Sequence, residues 1–131
     1  MALGQLVLVV DDDDAVRASL KFALELEGLC VETCDSGAAL LGHPGLREAH
    51  CLVLDYAMPV MDGMAVLDRL GVLDLRLPVI LITGHPVRAL GARVHAAGVR
   101  HVLEKPLSDG ALLAAIRETL SGAAPQLARR T

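Results

Sequence analysis

Five short, mostly apolar runs recur along the chain, at residues 5–10, 30–34, 51–54, 79–82 and 100–103, each parted from the next by a longer stretch. Runs this short, without apolar–polar alternation, suit parallel strands covered on both faces. The stretches between them carry helical spacing. Val16, Leu20, Ala23 and Leu24 fall at i, i+4, i+7 and i+8, with Gly28 placed as a stop. Ser36 is placed to cap a second helix reaching about Gly42, and Asp62 a third that carries Met64, Leu67 and Leu70. Val87, Leu90, Val94 and Ala97 mark a fourth, closed by Gly98; Leu112, Ile116 and Leu120 mark a fifth, with Ser108 as its expected N-cap. Five β/α units in 131 residues predict one α/β domain, a doubly wound five-stranded parallel sheet with five helices.

Composition narrows the function classes. Apolar residues make up 53% of the chain but aromatics only 2%, so the core must be aliphatic and base-stacking platforms are missing. With a formal charge of −4, a dominant contact to a phosphate backbone is not expected, and neither is direct nucleic-acid binding. The longest apolar runs fall far short of a membrane span, and the N-terminus lacks the basic flank and long apolar region of a secretory signal. A cytoplasmic protein without membrane contact is the expectation. Cys30, Cys34 and Cys51 then read as small buried hydrophobes in a reducing compartment. Cys30 and Cys34 on one strand would lie roughly 13 Å apart, too far to bridge. The five histidines show no metal-ligand spacing.

In open parallel sheets the functional crevice lies beyond the carboxyl ends of the strands. The first run ends in Asp11 and Asp12, the third in Asp55 followed by "YAMPVMDG", the fourth in Thr83, and the fifth leads into Lys105 and Pro106. Carboxylates crowded within about 4 Å repel by roughly 4 kcal/mol per pair at an effective dielectric near 20. A divalent cation relieves that, and oxygen-only ligands suit Mg²⁺, with Mn²⁺ as a substitute. Thr83 and Lys105 can give a donor and a positive charge to one phosphate, and Asp55 can form an aspartyl phosphate without a general base. The set reads as a phosphoryl-transfer site whose product changes local charge, as a switch requires. Alone, the acidic run also reads as a solvated turn, with Asp13 or Asp14 capping the first helix.

"VLVVDDDD", "LVLDYAMPVMDGM", "VILITGH" and "VLEKP", in that order and spacing, resemble the receiver domain of two-component response regulators, and "ITGH" and "EKP" resemble its FixJ-type branch. The resemblance spans about residues 5–121 and implies a flavodoxin-like sheet with strand order 2-1-3-4-5. It implies that a sensor histidine kinase or histidine phosphotransfer protein phosphorylates Asp55. Mg²⁺ would be held by the Asp12 and Asp55 side chains and the Ala57 backbone carbonyl, with Asp11 acting through water. Lys105 would pair with the phosphoryl group or Asp55, Thr83 would swing to the phosphoryl oxygen, and the bond before Pro106 would be cis. Gly63 would serve the turn into the third helix.

Receivers usually carry Tyr or Phe three residues before this lysine; here the residue is Val102, too small and stiff to act as an aromatic rotamer switch. Leu107 likewise stands where that branch often has Phe, and Ala57 and His85 flank the site where water would reach an acyl phosphate. Without a side-chain hydrogen bond from Ala57 to place that water, slow self-dephosphorylation is expected. A receiver over residues 1–121 leaves residues 122–131 as a short tail or the start of a linker. The expected function is a stand-alone receiver, a signalling module rather than an enzyme, that switches protein–protein contacts and can form a homodimer. The alternatives are the receiver part of a DNA-binding transcriptional regulator and, from another class, a small Mg²⁺-dependent aspartyl-phosphate phosphatase. The phosphatase is disfavoured because Ala57 stands where its second acid should be. A nucleotide- or flavin-binding module lacks its glycine loop after the first strand.

Overall fold

A computed structural model describes residues 5–84, 94, 98–108 and 110–122. The described elements are β1 (Leu6–Val10), α1 (Asp14–Glu25), β2 (Cys30–Cys34), α2 (Gly37–Leu41), a 3₁₀ turn (Leu46–Glu48), β3 (Cys51–Asp55), α3 (Gly63–Val72), β4 (Val79–Thr83), β5 (Val99–Glu104) and α4 (Ala111–Leu120). The expected helix with Val87, Leu90 and Ala97 falls outside the described residues; Val94 alone of it is described, helical and buried. The strands form one parallel sheet, as the sequence predicts, in the order β2-β1-β3-β4-β5 that the family resemblance implies.

Strict alternation of side chains explains why the central strands are apolar throughout. Leu8, Val10, Leu52, Leu54 and Leu81 face one cluster with Leu40 of α2 and Met64, Val66, Leu67 and Leu70 of α3. Val7, Val9, Val53, Ile80 and Ile82 face the other, with Leu24 of α1 and Leu112, Ala115 and Ile116 of α4. Burying one such aliphatic side chain stabilises by about 1.5–3 kcal/mol, against about 1 kcal/mol for a cap. Packing therefore decides that the helices form, and the caps decide where they start. Asp13, Ser36 and Asp62 are those caps, accepting from Val16 N, Ala39 N and Ala65 N.

The sheet edges are handled locally. On β2, Lys21 Nζ donates to the Val31 carbonyl at 2.7 Å, which helps occupy an edge strand. On β5 the register slips by one residue between Val99 and His101, so Arg100 is an extra residue opposite β4. That slip lets Val99 and Val102 join the same core cluster.

Several expectations need correction. Ser108 does not cap the last helix: α4 starts at Ala111 behind Gly110, whose φ of 78° is left-handed, and the Ser108 carbonyl accepts from Ala111 N. Cys30 is exposed, because the outer strand β2 has one face and one edge less covered than the strands beside it. Burial pushes the Cys34 thiol up to about 11 and Cys51 to about 12, so neither offers a thiolate near neutral pH. Helix α1 buries only Leu24, leaving Val16 and Ala23 of its apolar face exposed. Among the described residues no helix is long and apolar enough to cross a membrane.

Two positions in the β3–α3 connection respond in opposite directions to substitution. A Cβ on Gly63 would lie 2.9 Å from Tyr56 Cα and 3.2 Å from the Asp55 carbonyl, backbone that cannot move aside. Val60 is fully exposed with φ of 69°, a region that β-branched residues strongly disfavour. Gly63→Ala should lose about 1–3 kcal/mol and lower the urea midpoint at unchanged slope, whereas Val60→Gly should raise it. Equilibrium urea unfolding by circular dichroism reads both.

Candidate functional site

At the carboxyl edge of the sheet, β1 delivers Asp11 and β3 delivers Asp55. Val10 pairs with Leu54, so the next residue on each strand falls side by side. Asp11 and Asp55 are both buried, at 5% and 3% exposure, while Asp12 is exposed. The three offer carboxylate oxygens that all lie within 4.8 Å of one another. Asp13 caps α1 and takes no place in that cluster, and Asp14 is the first residue of the helix.

The acidic turn is held from both ends. Asp11 N donates to the Cys34 carbonyl at 3.2 Å, and Asp11 Oδ1 accepts from Asp13 N at 2.9 Å. Arg17 Nη1 donates to the Asp11 carbonyl at 2.7 Å and also pairs with Asp14. Sequence reasoning passed over Arg17. Its signal was there: a cation in the second turn of a helix opposes the macrodipole, so it needs a local reason to stand four residues past the cap.

Across the sheet, Asp55 pairs with Ile82, and Tyr56 N donates to the Ile82 carbonyl at 2.8 Å. Thr83, wholly buried, ends β4 one residue further on. Lys105 N donates to the Thr83 carbonyl at 2.8 Å, which ties the chain after β5 to the site. Lys105 Nζ lies 3.2 Å from Asp55 Oδ1, with the lysine side chain half-exposed. The Lys105–Pro106 peptide is cis. Ala57 is exposed and gives Asp55 a backbone hydrogen bond. Val102 pairs with Leu81 and packs half-buried against the α2–α3 side of the core, and Leu107 packs half-buried on the other side. His85 lies outside the described residues.

Electrostatically the site sets three carboxylates against one ammonium. Burial raises the Asp55 carboxyl above its ordinary value; the Lys105 ammonium pulls it down, Asp11 pushes it up again, and the Ala57 backbone lowers it. Asp55 Oδ1 is buried and, despite the nearby ammonium, receives no aligned hydrogen bond from the described residues. Three carboxylates gathered around a single ammonium fit a hard divalent cation of the Mg²⁺ type, which takes oxygen ligands and keeps room for water or phosphate. A metal-assisted phosphoryl-acceptor site is the chemistry this arrangement can perform.

The sequence profile described as the response regulator receiver domain matches residues 7–117. The chain is 40% identical over 120 residues to the transcriptional regulatory protein FixJ of Azorhizobium caulinodans, covering 92% of this chain and 57% of that protein. It is also 40% identical over 114 residues to the C4-dicarboxylate transport transcriptional regulatory protein DctD of Pseudomonas aeruginosa, covering 87% of this chain and 25% of that one. It therefore spans about half, or less, of the length of these relatives. Among solved structures, FixJ-N superposes with a TM-score of 0.79 at 35% identity, covering 92% of this chain and 96% of that one. The response regulator StyR superposes with a TM-score of 0.83 at 37% identity, covering 97% of this chain and 64% of that one. Residues 7–117 matched by the profile, the sheet order and the FixJ relatives agree: the chain belongs to the response regulator receiver family of two-component signalling, on its FixJ-type branch.

Proposed function

We propose that Asp55 is the phosphoacceptor of this receiver and that residues 1–121 form the switching unit. The observation that carries this reading is the placement of Asp55: buried at a strand end, 3.2 Å from Lys105 Nζ, and clustered with Asp11 and Asp12. An Asp55 carboxylate oxygen attacks phosphorus on a phosphohistidine of a sensor kinase or phosphotransfer protein. The P–N bond breaks as the O–P bond forms, and the departing imidazole takes up a proton. Asp12, Asp55 and the Ala57 carbonyl would hold Mg²⁺, or Mn²⁺ in its place, with Asp11 acting through water, and the ion would supply positive charge to the phosphoryl oxygens. Lys105 exchanges its Asp55 pairing for a phosphoryl oxygen, and Thr83 hydrogen-bonds another.

With Val102 in place of an aromatic ring, activation is read through backbone shifts or dimerisation across β5, α4 and the expected fourth helix, which falls outside the described residues. The reaction is the domain's own phosphorylation and dephosphorylation, in the cytoplasm, without contact to nucleic acid or membrane by this domain. A second reading makes residues 122–131 the start of a linker in a DNA-binding regulator. It is favoured by the greater length of the transcriptional regulators to which the chain is similar.

Incubation with acetyl phosphate and Mg²⁺ should add one phosphoryl group by intact-protein mass; omitting Mg²⁺, or Asp55→Asn, should abolish it. Retention of the group by Asp55→Asn would move the acceptor elsewhere. Beryllofluoride should shift NMR resonances along β5 and α4, and unchanged resonances there would sink the proposed relay. Ala57→Asn should shorten the phosphoryl lifetime; an unaltered lifetime would remove Ala57 from the account of slow hydrolysis.

A further inference from the structure

We propose that Arg17 is a positioning residue for the cation site, fixing the turn that carries Asp11 and Asp12; this rests on the reading of that cluster as a Mg²⁺ site. Asp11 is the first residue past β1, and its carbonyl leaves the sheet at a buried residue. A buried carbonyl without a donor costs about 1–3 kcal/mol. Arg17 supplies that donor from one turn and a half along the chain, through a charge-assisted bond of 2.7 Å. Its side chain is 16% exposed, whereas its ion-pair partner Asp14 is 91% exposed. An ion pair with so exposed a partner contributes little. The contact that holds the guanidinium in place is therefore the one to the Asp11 backbone.

Three bonds then lock one short segment. Asp11 N donates to Cys34 O, Asp13 N donates to Asp11 Oδ1, and Arg17 Nη1 donates to Asp11 O. Asp12 lies between the bonded residues and has its carboxylate in the cluster with Asp55. Side chains that orient ligands from behind typically change metal affinity 10–100-fold when removed.

The sign of the effect separates this role from simple charge. Arg17 carries a positive charge beside a cation site, so on Coulomb grounds alone its removal should tighten Mg²⁺ binding. Positioning predicts the opposite. A purely structural residue would change stability and leave the affinity of the folded protein where it was.

The test titrates Mg²⁺ into the full chain and follows amide shifts of residues 11–13 and 55–57 by NMR. The variants are Arg17→Met, which keeps the stem and removes the donors, and Arg17→Lys, which keeps the charge and one route to the carbonyl. Arg17→Met should weaken Mg²⁺ binding roughly tenfold, and Arg17→Lys should lose less. Equal or tighter binding by folded Arg17→Met overturns the inference while leaving the metal reading intact. Should Arg17→Met fail to fold, Arg17→Lys decides it: weaker binding at unchanged charge supports positioning, and wild-type affinity overturns it. Wild-type protein without Mg²⁺-dependent shifts overturns the metal reading, and the inference falls with it.

Discussion

The register between β1 and β3 is the constraint on which the rest depends. With Val10 opposite Leu54, the first residues past those pairs, Asp11 and Asp55, are forced together at the sheet edge. A slip of one residue would turn every side chain of a strand to the other face, and the core would not tolerate it. Leu8, Val10, Leu52 and Leu54 belong to one layer and Val7, Val9 and Val53 to the other. The same alternation that packs two aliphatic layers thereby compels two carboxylates to share a small volume. Packing energy holds the charges in a place they would leave if free.

That arrangement stores a demand for positive charge, met in graded ways. Lys105 reaches Asp55 from beyond β5, tethered by the bond between its own N–H and the Thr83 carbonyl. Arg17 reaches only the backbone of Asp11 and the exposed Asp14. The cluster of Asp11, Asp12 and Asp55 thus carries more negative charge than the one ammonium beside it offsets.

Much of this was legible in the chain itself. Strand positions, the caps at Ser36 and Asp62 and the convergence of Asp11, Asp12, Asp55, Thr83 and Lys105 follow from period, cap chemistry and sheet topology. What escaped was decided by tertiary contact. The hydroxyl of Ser108 looked like a cap, but Gly110 sits at the turn where a left-handed backbone is needed. Cys30 looked buried because a cysteine reads as a small hydrophobe, although the implied strand order already placed its strand at the edge. Arg17 went unnoticed because its partner is a backbone carbonyl, which no residue letter announces. The extra residue at Arg100 leaves no trace in the run that holds it, since a bulge is a fact about two strands.

The near absence of aromatic residues has an optical consequence. The chain has no tryptophan and one tyrosine, and that tyrosine is Tyr56, next to Asp55 and anchored through its amide to β4. Near-ultraviolet absorption and emission of the entire molecule therefore come almost wholly from one ring beside the carboxylate cluster. A spectrum that in most proteins averages over the whole structure is here a local reading, taken one residue away from Asp55 and without any label.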